Sequence, residues 1–189
     1  HVAPEEVYRF ETYLKGPTRN AVQMAENCRE FINDKTDARP FFIYFATSDP
    51  HRGGGKDVDS KLELKPDLFG NRPKNGSHSG VKEQFFDPSA VPIPKFLSDT
   101  PETREELAQY YQSCSRIDQG LGRLVTILKD AGLYDKTLIV FTSDHGMAFS
   151  GGKTTVYEGG LRVPFVVRNP YQPKRGIRSE AMISHIDIT

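Results

Sequence analysis

Apolar residues recur at three- and four-residue intervals from Ala21 to Ile32, at Ala21, Val22, Ala25, Cys28, Phe31 and Ile32. That spacing lines them up on one face and predicts an amphipathic helix. After Pro40 the pattern changes to the unbroken apolar run FFIYFAT, residues 41–47. A short aromatic run without polar alternation reads as a strand buried on both faces, as in a parallel sheet. Residues 48–99 hold many of the prolines and glycines and keep no period, which predicts a long functional loop or a surface excursion. Thr100 and Pro101 then supply an N-cap and a first-turn proline. Leu107, Tyr111, Cys114, Ile117, Leu121, Leu124, Val125 and Leu128 follow at helical spacing as far as Gly132, so a long helix with one buried face is expected.

The runs TLIVFT (137–142) and VPFVVR (163–168) read as further strands. Helix, strand, long loop, helix, strand is the order of an α/β fold, with a mostly parallel sheet flanked by helices. In open sheets of that kind, ligands bind beyond the carboxyl ends of the strands. Two of the apolar runs end in Ser-Asp, as SDPHR and as SDHG, and the candidate chemistry is expected at these ends.

With 189 residues, 37% hydrophobic and 26% charged, the chain is one domain's worth of a soluble globular protein. Lysine plus arginine and aspartate plus glutamate both number 25, so no net field draws the chain to nucleic acid or to a membrane surface. An anionic ligand has to be held by a local cluster. No apolar stretch reaches the roughly 20 residues needed to span a bilayer, and His1 onward lacks the basic-then-apolar layout of a signal peptide. Cys28 and Cys114 fall within helical patterns without metal-type spacing and read as buried thiols, which leaves the compartment open.

Asp144 and His145 leave the second run at its carboxyl end, where an acid and an imidazole can face one crevice and ligate a divalent cation. The same SDHG also reads as a turn in which Asp144 caps backbone amides and Gly146 takes a positive φ. Lys153, in SGGKTT, sits where glycines allow close backbone approach. Its ammonium can neutralise a tetrahedral anion such as a sulfate or phosphate ester, or it is a solvated loop lysine. His51, in DPHRGGG, can donate to an anion or protonate a leaving oxygen, or it is simply exposed. The glycines at 53–55 make no nucleotide-binding P-loop, because the Gly-Lys-Ser/Thr ending is missing.

Taken together, FFIYFATSDPHRG, LAQYYQSCSRIDQGLGRLVTILKDAGLYDKTLIVFTSDHG and GGKTTVYEGGLRVPFVV resemble the later part of a sulfatase catalytic domain, within the alkaline-phosphatase-like superfamily. The DPHR and FFDPSAVPIPKFLSDTPETREELAQYY segments look most like the N-sulfatase (sulfamidase) branch of that family. The resemblance implies an alkaline-phosphatase-like partial domain. Asp144 and His145 match positions that hold calcium or another divalent cation, Lys153 the basic residue on the substrate sulfate, and His51 the histidine near the leaving group. It further implies hydrolysis of a sulfate ester or sulfamate, with a sulfated carbohydrate such as a glycosaminoglycan, or another small sulfate ester, as partner. By the same resemblance the compartment is periplasmic, secreted or lysosomal. The sulfamidase branch has asparagine in place of His145 and arginine in place of Lys153, whereas this chain is like other sulfatases at both positions.

The family's nucleophile, a cysteine oxidised to formylglycine in a Cys-x-Pro-Ser-Arg motif, has no match here, since Cys114 in CSRID lies within the long helix. Residues 1–189 therefore read as the later part of the catalytic domain, without the nucleophile segment or the C-terminal subdomain, and alone are expected to be inactive. Two alternatives stand beside the sulfatase: a phosphodiesterase or phosphonate hydrolase of the same superfamily, and a non-catalytic relic. The oligomeric state is open.

Overall fold

The computed structural model describes residues 10–34, 36, 39–53, 67–73 and 76–188. The expectations resting on His1 and on the two glycines after Gly53 lie outside the described residues.

The longest element is the helix α3, Pro101–Asp130. Thr100 caps it by accepting the Thr103 amide, Pro101 occupies the first turn, and Glu102 and Lys129 sit where the helix dipole favours their charges. The helix stops at Gly132, whose φ of 69° is left-handed. There the Leu133 amide bonds the Leu128 carbonyl at 2.9 Å and the Gly132 amide bonds that of Lys129 at 2.9 Å, a Schellman closure.

The helix predicted over 21–32 is two short helices, α1 (Ala21–Asn27) and α2 (Arg29–Asn33). They meet at Cys28, whose amide bonds Ala25 three residues back at 3.1 Å, so the chain tightens and turns there. Asn20 caps α1 through the Gln23 amide. α1 crosses α3 at Gly120, which is buried and leaves room for Ala21; a Cβ at Gly120 would lie 2.2 Å from that of Ala21. The core runs from Ala25, Cys28 and Ile32 to Ile127 and Leu128.

The segment 41–47 corrects the sequence reading. It is extended but joins no ladder among the described residues, and it is not buried on both faces. Phe41, Ile43 and Phe45 pack on the helical core, while Phe42 is 73% and Tyr44 62% exposed. Period-two geometry sends alternate side chains to opposite faces, and among the described residues the helices cover only one.

The expected mostly parallel sheet is a second correction. The described sheet has two strands, β1 (Ile139–Thr142) and β2 (Phe165–Arg168), paired antiparallel from Ile139 opposite Arg168 to Thr142 opposite Phe165. The connection decides this: the Gly146 amide bonds the Gly160 carbonyl at 2.9 Å. The loop's ends are thus tied together just beyond the ladder, and the chain re-enters beside the point where it left. A one-turn helix, α4 (Glu158–Leu161), precedes β2. Among the described residues no helix is long and apolar enough to cross a membrane.

Glu26 on α1 ties the helices together, accepting from Arg29 at 2.9 Å and from Arg123 on α3. Hydrogen bonds from Arg29, then Arg123, hold its carboxyl below the usual glutamate range. Stability from a depressed carboxylate is present above its unfolded value and is lost as pH falls through the lower folded value. Glu26→Gln is therefore expected to cost about 0.5 kcal/mol near neutral pH, the scale of a partly exposed pair, and to flatten the acid limb of stability below about pH 4. Urea melts from pH 3 to 7 check this; an acid limb identical to that of the unsubstituted chain would remove Glu26 from the account.

Candidate active site

Two loops carry the predicted residues, and between them they bring His51 and Lys153 into contact. In the first, the chain turns at Ser48–His51, the His51 amide bonding the Ser48 carbonyl at 2.8 Å, with a cis bond between Asp49 and Pro50. The Asp49 side chain is fully buried. Arg116 of α3 meets it with both faces of its fork, Nε to Oδ2 at 2.7 Å and Nη2 to Oδ1 at 2.8 Å. Arg19 adds Nη1 to Oδ1 at 3.0 Å. Burial pushes the Asp49 carboxyl up, and the Arg116 and Arg19 guanidiniums draw it back down. Arg116 also donates to the Asn71 side chain and to the Phe69 carbonyl, so its buried donors are used. Arg52, next to His51, grips Glu106 of α3 at 3.0 and 3.1 Å. The turn presenting His51 is thereby fastened to α3 by one buried and one exposed ion pair.

The second loop, residues 143–160, follows β1. Its path depends on backbone crossings that no side chain fits. A Cβ at Gly146 would lie 1.8 Å from the Gly159 carbonyl oxygen, one at Gly152 2.3 Å from that of Met147, and one at Gly160 2.3 Å from that of Thr155. Gly146 is therefore present for close approach; the positive φ considered from the sequence is not what it adopts. The Lys153 amide bonds the Met147 carbonyl at 2.9 Å, and Thr154 beside it is held at φ 67°, an uncommon conformation for a residue with a branched side chain. Phe96 packs against Gly151 and Gly159 from the long connection.

These folds place Lys153 Nζ 3.2 Å from His51 Nε2, across 102 residues of chain. An ammonium has only donors, so Nε2 accepts in this contact. Asp144 and His145 lie just past the carboxyl end of β1. Asp144 is 84% exposed, with Oδ2 3.4 Å from His145 Nε2, while His145 Nδ1 donates to the Gly146 carbonyl at 2.8 Å. The carboxylate and Nε2 thus turn towards one space, an arrangement in which a divalent cation finds two donors. Among the described residues no group of three or more His, Cys, Asp or Glu is arranged to hold a metal ion, so this pair is at most part of a shell.

The cysteines do not supply a nucleophile. Cys28 is buried with its thiol pushed up by burial. Cys114 is pushed up to about 11, mainly by burial, which is the opposite of an activated thiolate.

Sequence reasoning passed over Arg19, Asp49, Arg116 and His185. His185 Nε2 donates to the Ser143 carbonyl at 2.8 Å and so braces the turn before Asp144. Arg116 had a legible signal, since it falls three residues after Ser113 and four before Gly120 in the buried stripe of α3. An arginine in such a stripe requires a buried partner. Arg19 and His185 carried no such mark.

Comparison with known proteins gives four likenesses. The family profile described as Sulfatase matches residues 5–189. The N-sulphoglucosamine sulphohydrolase of Homo sapiens is 37% identical over 198 residues, covering all of this chain and 39% of the relative. Arylsulfatase K of Xenopus laevis is 34% identical over 170 residues, covering 80% of this chain and 31% of the relative. The chain thus spans less than two fifths of either relative's length. Among solved structures, a crystal structure from Bacteroides fragilis assigned as a sulfatase, yidJ, superposes with a TM-score of 0.51 at 24% identity, over 80% of this chain and 31% of that one. That likeness bears on the fold, which agrees with an alkaline-phosphatase-like architecture.

Proposed function

This chain belongs to the sulfatase family, and from that premise we propose that it carries the lysine, histidine and part of the metal shell of an enzyme hydrolysing a sulfate ester or sulfamate on a sugar. The observation that carries the reading is the 3.2 Å contact between Lys153 and His51, brought together across 102 residues of chain. A fixed ammonium next to an imidazole suits a reaction in which a tetrahedral anion gains charge on its oxygens while its leaving atom needs a proton.

In this reading Lys153 binds the sulfate oxygens and stabilises the charge that grows on them. His51, turned by the Ser48–His51 bend, takes up a proton at Nε2 once Lys153 moves from it onto the sulfate, and hands that proton to the departing oxygen or nitrogen. Asp144 and His145 would hold a divalent cation, calcium by the family resemblance, which when bound polarises the sulfate oxygens as a Lewis acid. The attacking group is a formylglycine placed outside these residues. The sugar is suggested by the relatives' names, of which one specifies N-sulphoglucosamine. Lys153 is a point charge without the bidentate fork of an arginine, which favours a sulfate ester over the sulfamate of that relative.

The test assays the full-length protein on an aryl sulfate and on N-sulfoglucosamine, before and after chelation and with calcium restored, alongside calorimetry for calcium. Turnover of the ester that is lost on chelation and returns with calcium is expected. Absence of both turnover and calcium binding would leave the chain a non-catalytic relic.

A further inference from the structure

We propose that Arg19 is a positioning residue for His51, its guanidinium bridging the buried Asp49 carboxylate and the His51 main-chain carbonyl so that the imidazole is held against Lys153. Arg19 Nη1 donates to Asp49 Oδ1 at 3.0 Å and to the Phe69 carbonyl at 3.1 Å, while Nη2 donates to the His51 carbonyl at 3.0 Å. Arg116 alone meets both carboxylate oxygens of Asp49. Neutralising the carboxylate therefore leaves Arg19 a separate task, and Nη2 is the part of it that touches His51.

The surroundings are shaped for that fork. Gly70, at φ 65°, lies under the Arg19 side chain, and a Cβ there would come within 2.6 Å of Arg19 Cδ. The Ser48 amide bonds the Thr18 carbonyl at 2.8 Å and its hydroxyl donates to the Thr18 hydroxyl at 2.6 Å, so the residue preceding Arg19 is tied to the start of the same turn. His51 itself is exposed and its ring reaches Lys153 from a solvent-facing bend. Of the residue's own backbone groups, the amide is bonded within the turn and the carbonyl is bonded by Arg19. A guanidinium can span two acceptors in fixed geometry; an ammonium at the same place keeps the charge and loses the span.

The catalytic part of this inference rests on the sulfatase reading, whereas the clamp does not, and the experiment separates them. Arg19→Lys and Arg19→Gln are compared with the unsubstituted chain by amide hydrogen exchange, thermal melting and, in the full-length protein, aryl sulfate turnover. In Arg19→Lys the His51 amide is expected to exchange about tenfold faster while the amides of α3 are unchanged, which is local rather than global opening. The melting temperature falls by no more than about 4 °C, because Asp49 keeps Arg116 and a neighbouring charge. Turnover falls about 10²-fold in kcat with KM nearly unchanged, the scale of a misplaced catalytic group. If Arg19→Lys restores the exchange and the turnover of the unsubstituted protein, Arg19 acts only as a charge and the proposal fails. It also fails if neither variant alters His51 exchange. If the exchange effect is present and the unsubstituted full-length protein turns over no sulfate, the clamp stands and the sulfatase reading is the one overturned.

Discussion

Lys153→Ala in the full-length protein is expected to lower kcat on an aryl sulfate by about 10²- to 10³-fold, the loss typical of removing one preorganised charge or donor from a developing oxyanion. The expectation follows from where the ammonium is held. Its main chain is fixed by the Met147 carbonyl, and its Nζ touches His51. The glycine crossings of the loop do not involve the Lys153 side chain, so stability should move by less than about 0.5 kcal/mol. Lys153→Arg separates charge from position, because it restores the charge in a bulkier, planar form that the 3.2 Å contact with His51 does not accommodate unchanged. Steady-state kinetics beside a thermal melt decide the matter. Kinetics like those of the unsubstituted protein in Lys153→Ala would return this residue to a solvated loop position.

Arg116→Ala has a different and larger consequence for folding, about 3 kcal/mol of lost stability, because it leaves a buried carboxylate with Arg19 on one oxygen only. Asp49 is fully buried and Arg116 only 3% exposed, so water cannot replace the guanidinium. The Asn71 side chain and the Phe69 carbonyl lose a donor in the same change, although Arg19 still reaches Phe69. Against a total of about 5 to 15 kcal/mol for a domain, that is a large share. The double variant Asp49→Leu/Arg116→Met should recover part of the loss, since replacing a buried pair by apolar groups of similar volume removes the stranded charge. Denaturant melts of the two variants test the order. A double variant less stable than Arg116→Ala would show that the pair contributes more than charge compensation at this site.

What could be read from the chain was local. The cap at Thr100, the stop at Gly132, the long α3 and the turn after β1 follow from short-range rules, and those rules act within a few residues. The strand-like run 41–47 was legible as extended chain and misread in its burial, because periodicity reports conformation but not how many layers cover it. The antiparallel pairing was hidden for a related reason. Its cause is the hydrogen bond between Gly146 and Gly160, and nothing in either glycine announces its partner.

The sequence by itself determined the long helix α3 and its ends, the two short strands, the balanced charge and the identity of the chemical groups at His51, Asp144, His145 and Lys153. Only the tertiary structure decided which of these groups meet. His51 and Lys153 are 102 residues apart, and Asp49 and Arg116 are 67 apart. Contacts over such separations are selected by the packing of α1 on α3 and by the loops that packing fixes. The physical reason is that a buried charge accepts only the arrangement that satisfies it, and that arrangement, once Arg19 and Arg116 surround Asp49, leaves the His51 turn one place to go.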